Sequence, residues 1–596
     1  MLKPNPPDVL NCAFLSYIEI NVKESTTWSM NDPETCKAAI LSEDYRDFIV
    51  NNNSAILAHI TEENFCTQAA GFHYRCIYLP KELAGPITNE RLYYAALPKC
   101  YAHINMDSLN QAGILSLQNY PTLRLMGNGI LIGFLDSGID YQNPIFRNLD
   151  GSTRIAAIWD QTVQGGTPPE GFAYGTEYTE EMLNEALRSE TPLEIVPSID
   201  DTGHGTFIAS LAAGGGSPEE NFVGAAPEAT LAVVKLKTAK QYLRDYFFIP
   251  DDEPCHQETD VILALHYLDI LAQRLGLPLV FCFALGTNSG GHVAALPCPI
   301  LMNSYGSSAN RIPVIGCGNE ADKRHHYYYE LPDTNTTHTA EIRIGEGVKG
   351  FTMELWTTIP DILSISITSP SGQSTARLTV RSNSRTDFQF LLEPTKVSID
   401  YQIITELETS ELIFFRFMNP SPGIWRLNIE PLRIFNGRFH IWLPISEFLS
   451  GEVYFLDSNP YYTITNPANG SSTVNVAFYD GNTTAIALSS GRGYSRNDII
   501  NPTLAAPGIN VRGALPDGRY TNGSGSSAST AICAGAAALL LEWLLYRMGN
   551  PSVDSYQVKG ILTIGARRPP GVKFPNREWG YGLLDLYNTI LEIRDL

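Results

Sequence analysis

Positive charge is scarce in this 596-residue sequence: 41 Lys and Arg stand against 63 Asp and Glu, a formal net charge of −22. Binding nucleic acid takes a basic face that neutralises phosphates, so no nucleic-acid partner is expected. Uncharged apolar runs of about 18 residues are missing too, and the best candidate, Ala531–Leu541, ends at Glu542, so no membrane span is expected. The chain does not open with a basic segment followed by an apolar run, and no secretory signal peptide is expected. Ten cysteines are present without a CxxC pair, and several lie in apolar runs such as Val280-Phe281-Cys282-Phe283. They read as small buried hydrophobes in a reducing compartment, not as a disulfide framework. A cytoplasmic setting is the expectation from these cues. His325-His326 and His338 lack an HExxH context or thiolate neighbours, and no EF-hand loop occurs, so neither a metal nor another cofactor is expected. Gly345–Gly350 matches GxGxxG, but no helical pattern follows it, and a turn is expected there. Fixed-period repeats and low-complexity segments are also lacking.

With 44% hydrophobic and 17% charged residues, the chain has the composition of a packed globular protein with room for several domains. Residues 1–102 read as an N-terminal α+β unit: EDYRDFIVNN suggests a short helix, SAILAHIT and YRCIYLP suggest strands, and Leu97-Pro98-Lys99 marks a boundary. From there to 327, apolar strands (GILIGFLD, ATLAVVKL, PLVFCFALG, IPVIGCGN) alternate with helices (GTFIASLAA, DVILALHYLDILAQRL). Such alternation predicts an α/β unit with a mostly parallel sheet covered on both faces. Over 328–455 the alternation stops. Short strands separated by turns (AEIRIGEG, FTMELWTT, LSISITSP, ARLTVRS, ELIFFRFM, IWRLNIE, GRFHIWL) predict an inserted β-sandwich or jelly-roll-like domain. The α/β pattern resumes with STVNVAFYD and fills 456–596.

Ligands of parallel sheets bind beyond the carboxyl ends of the strands. Asp136 ends ILIGFL and precedes Ser137-Gly138; His204 lies in Gly203-His204-Gly205-Thr206 at the mouth of a helix; Asn319 follows IPVIGCG; Ser527 opens a long helix of small residues. Each has an ordinary structural explanation, a serine at a helix start above all, since it serves as an N-cap. Together they supply the orienting acid, base, oxyanion donor and nucleophile of acyl transfer through serine.

On these motifs the chain resembles the subtilases, the subtilisin-like serine proteases. Asp136-Ser137-Gly138 is similar to that family's acid motif, Gly203–Thr206 to its histidine motif, Gly318-Asn319 to its oxyanion motif, and Gly525-Ser526-Ser527-Ala528-Ser529 to its nucleophile motif. Gly224-Ala225-Ala226-Pro227, Ala505-Ala506-Pro507-Gly508 and Trp579-Gly580-Tyr581-Gly582 agree as well. Phe207, Ser210, Cys317, Ala528 and Ala531-Ile532 depart from the usual residues without removing a catalytic group. The resemblance implies a serine endopeptidase acting on protein or peptide, with Asp136, His204 and Ser527 as catalytic residues and Asn319 in the oxyanion hole. It also implies that Ala284, Leu285 and Gly286 pair with substrate and that Gly316, Cys317 and Gly318 frame the pocket before the cut. The separation of 208 positions from Asn319 to Ser527 exceeds that of the family's minimal core. With the first 100 residues, this insertion resembles the clostridial Csp germination proteases. That likeness implies a prodomain acting as an intramolecular chaperone, self-cleavage near 97–104, a prodomain retained as a partner, a spore-associated setting and a protein precursor as substrate. Because that group includes members without catalytic residues, a protease-shaped binding or signalling protein is the alternative.

Overall fold

A computed structural model describes residues 33–52, 66–71, 73–85, 87, 94–103, 112–118, 123–378, 384–405 and 409–594. The apolar runs Leu131–Asp136, Thr230–Lys235, Leu279–Phe283, Arg311–Gly316 and Val474–Asp480 form the parallel middle of a nine-stranded sheet among the described residues. The spatial order is Ala485–Ile486, Val474–Asp480, Arg311–Gly316, Leu279–Phe283, Leu131–Asp136, Thr230–Lys235, Ile155–Asp160, Thr176–Thr179, and Leu504–Pro507 also pairs with Val474–Asp480. Strands apolar at successive positions need cover on both faces. One face packs Ile132, Phe134, Val280 and Cys282 against the helices His204–Ala213 and Ser526–Glu542. The other packs Leu131, Leu135, Phe281 and Phe283 against Glu258–Leu275 and Pro297–Gly306.

Every residue of Ser526–Glu542 is buried. The helix runs on as a π turn through Arg547, and these 22 residues are long and apolar enough to cross a bilayer by length and composition alone. However, 94% of the most apolar window is buried inside the protein, so the helix's apolar surroundings are the two halves of its own fold. Glu542, which breaks the apolar run in sequence, accepts the N–H groups of Met126 and Gly127 at 2.9 and 2.7 Å.

Two further sheets share one core. One has the order His326–Glu330, Arg438–Trp442, Gly350–Thr358, Ser410–Met418, Lys396–Ile404, Ser384–Gln389, and the other Ile362–Thr368, Gly423–Arg433, His338–Ile344, Val453–Phe455. Phe351, Met353 and Phe415 of the first meet Ile342, Ile365 and Trp425 of the second, the inward-facing alternation of a β-sandwich. Gly345–Gly350 is the turn that passes from one sheet to the other. Of the expected strand Ala376–Ser382, Leu378 makes a single bridge to Ile365 and 379–383 lie outside the described residues.

The N-terminal unit departs from expectation. Tyr45–Asn51 is a strand, not a helix, paired antiparallel with Tyr74–Pro80. Phe48, Ile49 and Val50 are buried, and the β-branched pair packs better on a pleated sheet than in an isolated helical turn. SAILAHIT lies outside the described residues. Cys36 and Cys66 are joined by a disulfide that ties the helix Pro33–Leu41 to the strand Cys66–Ala70. The reading of the cysteines as simple buried hydrophobes therefore fails for this pair, which lies 30 residues apart in sequence and meets only on folding. Cys76, Cys100, Cys255, Cys282, Cys298, Cys317 and Cys533 are free and buried. Buried Asp47 anchors the unit to the rest of the fold through the ammonium of Lys240 and the side chain of Gln257.

Candidate active site

The strand Leu131–Asp136 is buried throughout, and its last side chain carries a carboxylate to the sheet's carboxyl edge. Gly138, at φ +123°, turns the chain away at once, and a Cβ there would lie 2.8 Å from the carbonyl oxygen of Ile199. His204 is the first residue of its helix, after Gly203 in the left-handed region at φ 81°. A Cβ on Gly205 would lie 2.1 Å from the carbonyl oxygen of Gly138, so only glycine lets this helix start approach the aspartate turn.

Gly203 has no side chain to cap the helix, and Asp200 takes that part. Its carboxylate accepts the N–H groups of Gly203 and Thr206 at 2.9 and 2.7 Å and the Ser137 hydroxyl at 2.7 Å. The Ser137 hydroxyl in turn accepts the Gly205 N–H at 3.0 Å. One carboxylate thus pins the acid's turn to the histidine's helix. Asp200 was not singled out in the sequence; an acid four residues ahead of a glycine-flanked histidine is the signal that could have found it.

The imidazole is clasped on one edge. Nδ1 lies 2.8 and 2.9 Å from the two carboxylate oxygens of Asp136, and Nε2 lies 3.1 Å from Ser527 Oγ. Asp136 and Ser527 are fully buried, while the His204 side chain keeps 11% of its surface exposed, enough for a reactant to reach it. Ser527 is the second residue of its helix, and Gly525 at φ 145° is the N-cap. The expectation that Ser527 itself starts the helix is corrected on this point: its hydroxyl turns to His204 instead of to its own backbone.

Asn319 lies three residues beyond the strand that ends at Gly316, and its Oδ1 accepts the Ser526 N–H at 3.0 Å. That bond orients the carboxamide and leaves its NH₂ without a role in holding the helix backbone. Ser526, also missed in the sequence, accepts the Gly318 N–H at 3.1 Å through its hydroxyl. A Cβ on Gly316 would stand 2.5 Å from that hydroxyl, so the helix seats here only against glycine. The Cys317 thiol is fully buried in the apolar cluster under the sheet, and burial pushes its pKa well up. Gly318, at φ +85°, faces the side chain of Thr465.

Ala284 follows the strand Leu279–Phe283, and Leu285–Gly286 pair antiparallel with His103–Ala102. The strand Cys100–His103 also pairs on its other side, Cys100 opposite Gln257 and Tyr101 opposite His256. A segment of this chain therefore fills the groove wall implied for a bound peptide. His292 is structural: its ring stacks on Trp442 at 4.1 Å, its nitrogens face the carbonyl oxygens of Ile464 and Asn288, and burial holds its pKa down at about 4. His325 pairs with Glu320 at 2.7 Å, and His326 with His440 at 3.0 Å.

The geometry has counterparts in known proteins. The Subtilase family model matches residues 127–341 and 450–582. Bacillopeptidase F of Bacillus subtilis (strain 168) is 30% identical over 154 residues, which cover 25% of this chain and 10% of that protein. The mouse membrane-bound transcription factor site-1 protease is 33% identical over 137 residues, 22% of this chain and 12% of that protein. This chain thus spans about a tenth of the length of these two relatives. The structure of the Clostridium perfringens CspB protease superposes with a TM-score of 0.72 at 28% identity, covering 82% of this chain and 98% of that one. The two matched segments carry Asp136, His204, Asn319 and Ser527, and the chain belongs to the subtilase family of serine peptidases.

Proposed function

We propose that this chain is a serine endopeptidase that cuts its own N-terminal unit, 1–102, and then a protein precursor. The observation that carries the reading is the imidazole of His204, held by Asp136 at Nδ1 and facing Ser527 Oγ at 3.1 Å. Asp136 keeps the proton on Nδ1, so the Nε2 lone pair faces the hydroxyl and takes its proton as Oγ attacks a peptide carbonyl. His204 then returns the proton to the leaving amine, and Asp136 stabilises the imidazolium in between. The oxyanion forms at the start of the helix Ser526–Glu542, where first-turn N–H groups have no intrahelical acceptor and the helix dipole is positive. The Asn319 NH₂ and the Ser527 N–H are its donors.

Self-cleavage near 97–104 is supported by Cys100–His103, which lies paired in the groove like a bound substrate. The N-terminal unit serves as the folding chaperone and stays on as a partner, held by pairs such as Asp47–Lys240. The precursor substrate and a cytoplasmic or spore setting rest on the likeness to the Csp group. A fluorophosphonate probe tests the core of the reading. It is expected to label the wild type and not Ser527→Ala, which should remain full length. Equal labelling of both proteins ends the assignment; labelling of neither, with no self-cleavage, favours the binding protein.

A further inference from the structure

The inserted β-sandwich lends no group to the catalytic set, yet one of its carboxylates is wired to the groove. Glu354, on the strand Gly350–Thr358, is 3% exposed. One of its oxygens accepts the hydroxyl of Tyr94, and the other accepts the N–H of Gly290 and the indole N–H of Trp356, both at 2.9 Å. Gly290 lies four residues past Gly286 on the groove wall, and Tyr94 lies six residues before Cys100, where the groove-bound strand begins.

The segment from Tyr94 to Lys99 is a hook closed on itself. Lys99 is fully buried, donates from Nζ to the carbonyl oxygens of Tyr94 (2.7 Å) and Leu97, and lies 4.1 Å over the Tyr94 ring. Its charge is opposed by the buried carboxylates of Glu258 and Glu354. The inserted sheet holds the other side of the hook. The Tyr94 N–H donates to Gln402 at 3.1 Å, and its ring stands edge-on to Trp356 at 5.5 Å.

From the hook the chain enters the groove with Gly286 opposite Ala102 and Leu285 opposite His103. A paired strand that slips by one residue turns every side chain to the other face, so the bond brought to Ser527 depends on where the hook is anchored. We propose that Glu354 is a positioning residue for self-cleavage: by holding Tyr94 and the Gly290 backbone on one carboxylate, the inserted domain sets which bond reaches Ser527. The inference rests on the self-cleavage reading given above.

The test uses the full chain with Tyr94→Phe, which removes only a hydroxyl, and with Glu354→Gln. Intact mass followed over time gives the rate and position of the cut, and fluorophosphonate labelling reports whether Ser527 stays reactive. The wild type is expected to give one new N-terminus. Each variant should cut at least about ten-fold more slowly or at several neighbouring bonds, while labelling at wild-type rate. Both variants giving the wild-type terminus at the wild-type rate would overturn the proposal and leave self-cleavage standing. A wild type that never cuts removes both, and is told apart because no chain then shows a new terminus. Melting of each variant in the Ser527→Ala background monitors folding; should Glu354→Gln unfold, Tyr94→Phe decides.

Discussion

Asn319 and Asp200 both act through a backbone they do not belong to, and they differ in what their loss would do. Asp200 holds the start of the histidine's helix and the Ser137 hydroxyl, so it governs where His204 sits. Asn319 is tied at Oδ1 to the Ser526 N–H, at the start of the nucleophile's helix, and in the proposed reaction its NH₂ donates to the oxyanion. An oxyanion donor acts mainly in the transition state, so Asn319→Ala is expected to lower kcat by about 10²–10³-fold with KM little changed. Steady-state kinetics on a peptide substrate check this, and a KM effect equal to the kcat effect would move Asn319 into ground-state binding. The departures from the usual family residues also make sense at this scale. Phe207 fits because Gly513 opposite it has no side chain, a Cβ there falling 2.7 Å from the ring. The Ser210 hydroxyl donates to the Phe207 carbonyl at 2.7 Å and accepts the Ala514 N–H at 3.0 Å, so it stitches helix to strand.

At the scale of elements, the helix Ser526–Glu542 is limited by clearance and not by helix propensity. A Cβ on Gly535 would fall 2.4 Å from the Cβ of Ala225 and 2.7 Å from the carbonyl oxygen of Ala212. Glycine to alanine gains about 0.8–1 kcal/mol of propensity inside a helix, whereas overpacking a tight core costs about 1–3 kcal/mol. The clash involves backbone, which cannot swing aside, so the cost wins and Gly535→Ala should lower the melting temperature. Gly560, in the helix Ser555–Gly565, has nothing within 4 Å of its would-be Cβ, so Gly560→Ala should raise it. Thermal melting of both in the Ser527→Ala background measures the contrast, and shifts of the same sign would refute the clearance account. Much of this was legible in sequence: the runs at Leu131–Asp136 and Leu279–Phe283 are apolar at successive positions, and helical patterns such as that of Glu258–Leu275 lie between the strands. Tyr45–Asn51 was not, because a short mixed run fits a helix as well as a strand until a partner such as Tyr74–Pro80 is present. Ser384–Gln389 and Lys396–Ile404 escaped notice for a related reason: both are rich in polar residues, and in the second strand Ser398, Asp400 and Gln402 are nevertheless buried once the domains pack.

For the whole molecule, the inserted sandwich carries a pH-dependent weakness of its own. Burial, with Asp361 nearby, pushes the Glu411 carboxyl up to about 8, while the bond it accepts from the Leu363 N–H at 3.1 Å pulls the other way. Among the described residues its second oxygen is buried without a hydrogen-bond partner. A carboxyl whose folded value lies above its unfolded value of about 4.3 binds its proton more tightly when folded. The associated stability is complete below that unfolded value and is lost as pH rises toward 8. Glu411→Gln keeps an acceptor for Leu363 and cannot ionise, so at pH 8 it should stabilise the protein by a few kcal/mol, and at pH 4.5 hardly at all. Chemical denaturation of the Ser527→Ala protein at the two pH values tests the sign, and equal effects at both would exclude this account.

The sequence by itself determined the chemistry and the local geometry that presents it. An acid, an imidazole, a hydroxyl and a carboxamide each stand at a strand or helix end, with glycines where only a missing Cβ permits the approach, as Gly205 does against Gly138. The residue order at each strand or helix end is local and is therefore written in short motifs, although the close approach that makes Gly205 necessary is to Gly138, 67 residues away. Only the tertiary structure decided that Cys36 meets Cys66, that Asp200 ties two turns together, and that Glu354 of the inserted domain reaches Tyr94 and the groove wall. Each of these joins residues far apart in sequence, and a contact of that kind has no local pattern to mark it, because its partner is supplied only when the sheets and helices pack.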